Sequence, residues 1–164
     1  MNVLFFCRTG RTKMMVHIAK ALKDAGHLKR AHAFVAYYDN WRDYLKSQSH
    51  VQFHKIIGTK EIYQRMAEEP LDPVEIDRIE KEYGSLDIEL WNMVYSESQL
   101  ALHTHPRNFN LPPYTKDDIL LYVQVTFQLV EELFEEIEPD AIIDFAPVNI
   151  LRGVLDLVAQ KYNI

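Results

Sequence analysis

The chain has 164 residues, 48% hydrophobic and 26% charged, with one cysteine and a formal net charge of −6. That length makes one ordinary domain, able to bury a sizeable core without disulfides or a structural metal. Five Gly and seven Pro exclude collagen-like and low-complexity classes, and an acidic balance argues against a general nucleic-acid binder. No apolar run approaches the roughly 20 residues that span a bilayer. The apolar start is too brief for a signal peptide, and a lone cysteine fits a reducing, cytoplasmic compartment. Charge is unevenly spread. Residues 1–60 carry 11 Lys/Arg against 3 Asp/Glu, and residues 61–164 carry 7 against 21. A local site for an anion is therefore expected inside an acidic protein, whose acidic excess reads mainly as solvated helix faces.

Residues 2–7 (NVLFFC) form a continuous apolar run, the pattern of a strand buried on both faces of a parallel sheet. The turn RTGRT follows, then an amphipathic helix with Met15, Ile18, Ala19 and Leu22 on one face. Thr12 is expected to cap that helix and Gly26 to end it in the left-handed conformation. A second apolar run, Ala31 to Tyr38, completes a βαβ unit. Residues 40–113 show no convincing strand and read as a helical insert. Asp72-Pro73 opens one helix with cap and N1 proline in place, and Ser85 opens another. Residues 103–113 read as a Pro-rich loop. From Thr115 the 3.6-residue period runs for about six turns, with Glu131, Glu132, Glu135 and Glu136 expected on the outer side. Pro139 stops this helix, Asp140 to Phe145 (DAIIDF) reads as a third buried strand, and Pro147 begins a last helix. The expected fold is α/β: a single Rossmann-like domain over 1–164, a parallel sheet with flanking helices and a helical insert, cut off at its C-terminal edge.

The best local site is the turn after the first strand. Arg8, Thr9, Gly10 and Arg11 stand at the carboxyl end of a parallel strand and the start of a helix, where free N–H groups and the helix dipole favour an anion. Lys13 adds charge, and Gly10 lets a ligand approach the backbone. Cys7 before a basic loop resembles the layout of a low-molecular-weight tyrosine phosphatase. Here the sixth residue after Cys7 is Lys13 followed by Met14, so the closing Arg-Ser/Thr is missing. Cys7 is expected to be a small buried hydrophobe. Asp144, Asn149 and Arg152 occupy the equivalent end of the third strand and the following helix. His105, paired with His103 in an HxH, and Glu97 on a tryptophan-bearing helix are the remaining substrate-facing residues. No partner set for a metal surrounds the histidines, so no metal site and no cofactor are expected.

Taken together, NVLFFCRTGRTKMMVHIAKALKDAGH and EEIEPDAIIDFAPVNILRGVLDLVAQKYNI resemble the N-terminal domain of GT-B glycosyltransferases. Gly26-His27 and Pro139-Asp140 stand where that fold has its "Gly-His" and "Pro-Asp-hydrophobic run". WNMVYSES at 91–98 looks like the insert of bacterial capsule and surface-carbohydrate synthesis proteins. The resemblance implies a half that binds the acceptor, a surface polysaccharide or glycolipid. The nucleotide-sugar donor would sit mainly on a missing C-terminal domain, and the chain alone would be inactive. It implies peripheral contact with a membrane and assigns no catalytic residue in this chain. The loop lacks the usual second glycine. The alternative reading is a stand-alone, non-catalytic Rossmann-like module that binds an anionic metabolite or a partner protein. An open sheet edge would favour a homodimer in either case.

Overall fold

In a computed structural model the described residues are 1–36, 40–84, 115–145 and 150–164. They contain four strands: β1 (Asn2–Arg8), β2 (Arg30–Ala36), β3 (Phe53–Gly58) and β4 (Ala141–Ile143). The sheet is all-parallel in the order β3-β2-β1-β4, a Rossmann-like α/β arrangement. Helices α1 (Arg11–Asp24), α2 (Asn40–Ser47), α3 (Thr59–Glu68), α4 (Pro73–Tyr83), α5 (Lys116–Ile137) and α6 (Ile150–Lys161) accompany it. The residues group into two compact units. One comprises Met1–Glu61 and Glu132–Pro147, with the whole sheet; the other comprises Ile62–Glu131 and Val148–Asn163.

The sheet unit follows directly from its apolar runs. Val3 to Cys7 of β1 are buried on both faces, as an interior parallel strand requires. Val3, Phe5 and Cys7 join Ala31, Ala33 and Val35 of β2 beneath Met15, Val16 and Ala19 of α1. On the other face Phe6 stacks on Phe34 with ring centroids 5.8 Å apart. Gly26 ends α1 with φ +74°, the left-handed stop its position called for. At the amino end of the sheet, Asn2 and Asp140 tie β1 to the start of β4. The Asn2 amide donates to the Asp140 carboxylate (2.6 Å), and the Asp140 amide donates to the Asn2 carbonyl (2.8 Å).

Two expectations are corrected here. The span 40–113 contains a strand, since β3 pairs with β2 along Ala31 to Val35. FHKIIG hides it because His54 and Lys55 interrupt the apolar run, and the ladder is irregular between Ala31 and His32. Ala31 faces Phe53 and His32 faces Lys55, which leaves His54 as the extra residue of a bulge. The second correction concerns Glu131. Far from lying on an outer face, its side chain is only 14% exposed and accepts both nitrogens of Arg78, at 2.7 and 3.1 Å. It also accepts from the buried Tyr83 hydroxyl and from Lys161 (3.2 Å). Three cation and hydroxyl donors hold this carboxylate below the usual range despite its burial. Glu136 in turn pairs with Lys55 at 2.6 Å.

The starts of α4 and α5 match their local signals. Asp72 accepts from the Val74 amide (2.9 Å) ahead of Pro73, a side-chain cap with N1 proline. Thr115 and Asp118 exchange bonds at the head of α5: the Asp118 amide donates to Thr115 Oγ1, and the Thr115 amide donates to the Asp118 carboxylate. The expected helix from Ser85, the loop at 103–113 and the start at Pro147 lie outside the described residues.

Candidate functional site

In an open parallel sheet, ligands sit outside the carboxyl ends of the strands, where successive connections leave in opposite directions. With the order β3-β2-β1-β4 that point lies between β1 and β4. The turn Arg8-Thr9-Gly10-Arg11 leaves β1 there, and Asp144-Phe145 leaves β4 beside it. Arg11 donates from its guanidinium to the Phe145 carbonyl at 2.6 Å, a link across 134 residues of sequence. Arg8, Thr9, Gly10, Arg11 and Asp144 are thus brought to one mouth of the sheet unit.

The turn itself is unusual. Thr9 has φ +54°, a conformation that a β-branched residue adopts only when its surroundings hold it there. Its carbonyl accepts from the Thr12 amide at 3.1 Å, which begins α1 immediately. Gly10 occupies the N-cap position with φ −59°, and no side chain caps the helix. The first turn contains no acidic residue. The expectation that Thr12 caps α1 is therefore corrected. Thr12 lies inside the first turn, fully buried, and its hydroxyl has no hydrogen-bond partner among the described residues. Among the described residues, a Cβ built on Gly10 meets nothing within 4 Å. Basic side chains and the positive end of the α1 dipole, with no side-chain cap and no acidic residue in its first turn, together favour a negatively charged group.

Cys7 precedes Arg8 on β1 and belongs to the buried core of the sheet unit. It is fully buried, and its thiol is pushed up to about 12 by burial and by the negative charge of Asp144. A thiol held protonated is neither nucleophile nor metal ligand. This agrees with reading Cys7 as a core residue.

Arg152 belongs to the second unit, where it pairs with Asp156 one turn along α6 at 2.7 Å. Asn149, Glu97 and His105, with His103, lie outside the described residues. What sequence reasoning missed is the Phe145 carbonyl as partner of Arg11 and the left-handed Thr9. A backbone acceptor carries no residue signature, and threonine is a poor advertisement for positive φ. Among the described residues no three His, Cys, Asp or Glu side chains gather to hold a metal, and no helix is long and apolar enough to cross a membrane. Compared with protein-family models, with curated proteins and with solved structures, the chain matches none.

Proposed function

We propose that this chain is a ligand-binding α/β module that takes an anionic small molecule at the mouth between β1 and β4. The observation that carries the reading is the coincidence of the sheet's reversal point with a helix start that no side chain caps and that Arg8 and Arg11 flank. A phosphate or carboxylate there would receive backbone N–H groups from the start of α1 and charge from the arginines. Gly10 leaves room for it.

In its more specific form the module is the acceptor-binding half of a glycosyltransferase that builds a surface polysaccharide or glycolipid. The resemblance named above is the ground for this. The position of β4, directly after Pro139-Asp140 and paired with β1, favours it. The turn after β1 and the end of β4 then flank one acceptor site, and the donor nucleotide sugar belongs mainly to a further domain.

Calorimetric titration with pyrophosphate tests the common core of both forms. Binding near the micromolar range is expected, and the double variant Arg8→Gln/Arg11→Gln should weaken it about a hundredfold, the worth of two charge-assisted hydrogen bonds. Gly10→Ala should weaken binding about tenfold through its methyl group while leaving the melting temperature in place. Undiminished affinity in the double variant defeats the proposal. Sugar transfer by the isolated chain, with tight donor binding, defeats only the acceptor-half form.

A further inference from the structure

A second feature lies at the opposite end of the same sheet. A cleft of about 160 Å³ opens where α1 ends and where β2 and β3 begin. Leu28 and Val51 give it an apolar lining, and Lys23, Lys29, Gln52 and His54 contribute its polar groups. Every lining residue belongs to the sheet unit. No carboxylate lines it, although the chain carries 24 Asp and Glu against 18 Lys and Arg.

Two other lysines of the sheet unit are already engaged. Lys20 pairs with Asp24, and Lys55 pairs with Glu136 at 2.6 Å. By contrast, none of the Lys23, Lys29, Gln52 and His54 side chains makes a hydrogen bond or ion pair among the described residues. Lys23 is not spent on capping α1 either. The last carbonyls of that helix, Ala21, Leu22 and Lys23, accept instead from the amides of Ala25, Gly26, His27 and Leu28. The sheet also breaks its own ladder at this place, because His54 is the extra residue of the β3 bulge. Bulges re-aim a side chain at the cost of regular pairing, and this one coincides with the cleft.

Two uncommitted ammonium groups, an imidazole and an amide around an apolar lining match a compact, doubly charged oxyanion attached to a small apolar group. The volume is well below the 300–1,000 Å³ of a typical drug-sized pocket, so only a small group fits. We propose that this cleft is a second ligand site, separate from the β1–β4 mouth, which takes the phosphomonoester group of a small soluble molecule.

The probe is phenyl phosphate, titrated into the ¹⁵N-labelled full chain and followed by amide chemical shifts. The amides of Lys23, Lys29, Ala31, Val51 and His54 should move together, with a Kd below about 1 mM. Lys23→Gln/Lys29→Gln exchanges two exposed side chains, should leave the thermal melt unchanged, and should weaken this binding at least about tenfold. Arg8→Gln/Arg11→Gln should leave the cleft shifts as they are, which separates this site from the mouth. Benzenesulfonate, with similar shape and one charge, should bind more weakly. Shifts confined to residues 8–13, no shifts at about 10 mM probe, unchanged affinity in the lysine variant, or equal affinity for the sulfonate would each overturn the proposal.

Discussion

Replacing Gly58 by alanine is expected to cost about 3 kcal/mol or more, which for a chain of this size lowers the melting temperature by roughly 6–12 °C. Gly58 ends β3 in register with Val35 of β2. A Cβ at this position would stand 1.9 Å from the Val35 carbonyl oxygen, with the Val35 carbonyl carbon and amide nitrogen at 2.7 and 2.8 Å. These are backbone atoms of a buried strand, so relief requires the two strands to part. More than the methyl contact is then at stake. The Gly58 amide donates to Glu61 at 2.8 Å, and Glu61 accepts from Arg42 at 2.5 Å. Arg42 also donates to the Ile56 carbonyl at 3.0 Å and is largely buried, with 12% of its side chain exposed. Displacing Gly58 therefore loosens the carboxylate that partners a buried guanidinium. The matched control is Gly10→Ala. There a Cβ has open space and φ is −59°, so the melt should stay within about 0.5 kcal/mol of the parent. Calorimetric melts of the two variants decide the matter, and a Gly58→Ala transition within a degree of the parent would remove the steric argument.

The same strand shows where local sequence stops being informative. β1 could be read from NVLFFC because an interior strand buried on both faces needs an unbroken apolar run. α1 could be read from its period and its stop at Gly26, α4 from Asp72-Pro73, and α5 from its period between Thr115 and Pro139. β3 sits at the sheet edge, pairs on one side and contains a bulge, so neither a continuous run nor an alternation survives in FHKIIG. Its glycine looks like an ordinary breaker until the Val35 backbone is placed beside it. Glu131 fell on the wrong side because α5 is crossed by partners whose acids and bases lie far apart in sequence, Arg78 and Lys161 among them. The mouth was legible as a basic strand-to-helix turn at residues 8–11. Its closure by Arg11 on the Phe145 carbonyl was not, since a contact 134 residues long to a backbone atom leaves no trace in either segment.

His32 makes the stability of the sheet unit acid-sensitive in a range where carboxylates contribute little. It lies in β2, 4% exposed, with neither ring nitrogen hydrogen-bonded. Burial, then the neighbouring His54, then Arg30 and, more weakly, Lys55 lower its pKa from 6.5 to about 4; Glu136, which is paired with Lys55, opposes them only in part. The folded state thus binds this proton more weakly than the unfolded chain does. Stability is fully present above about pH 6.5 and is lost as pH falls towards 4, where the loss reaches about 3 kcal/mol. Between pH 7 and pH 5 the loss is about 2 kcal/mol. Glu131, whose pKa is lowered, adds its own loss only below its ordinary value of 4.5, so the two windows separate. Urea unfolding at pH 7 and pH 5 measures the first window. His32→Leu should abolish that loss and, by removing two buried unpaired nitrogens, unfold at higher urea than the parent at pH 7. If the leucine variant loses as much stability between pH 7 and pH 5 as the parent, another group is titrating and His32 is not the source.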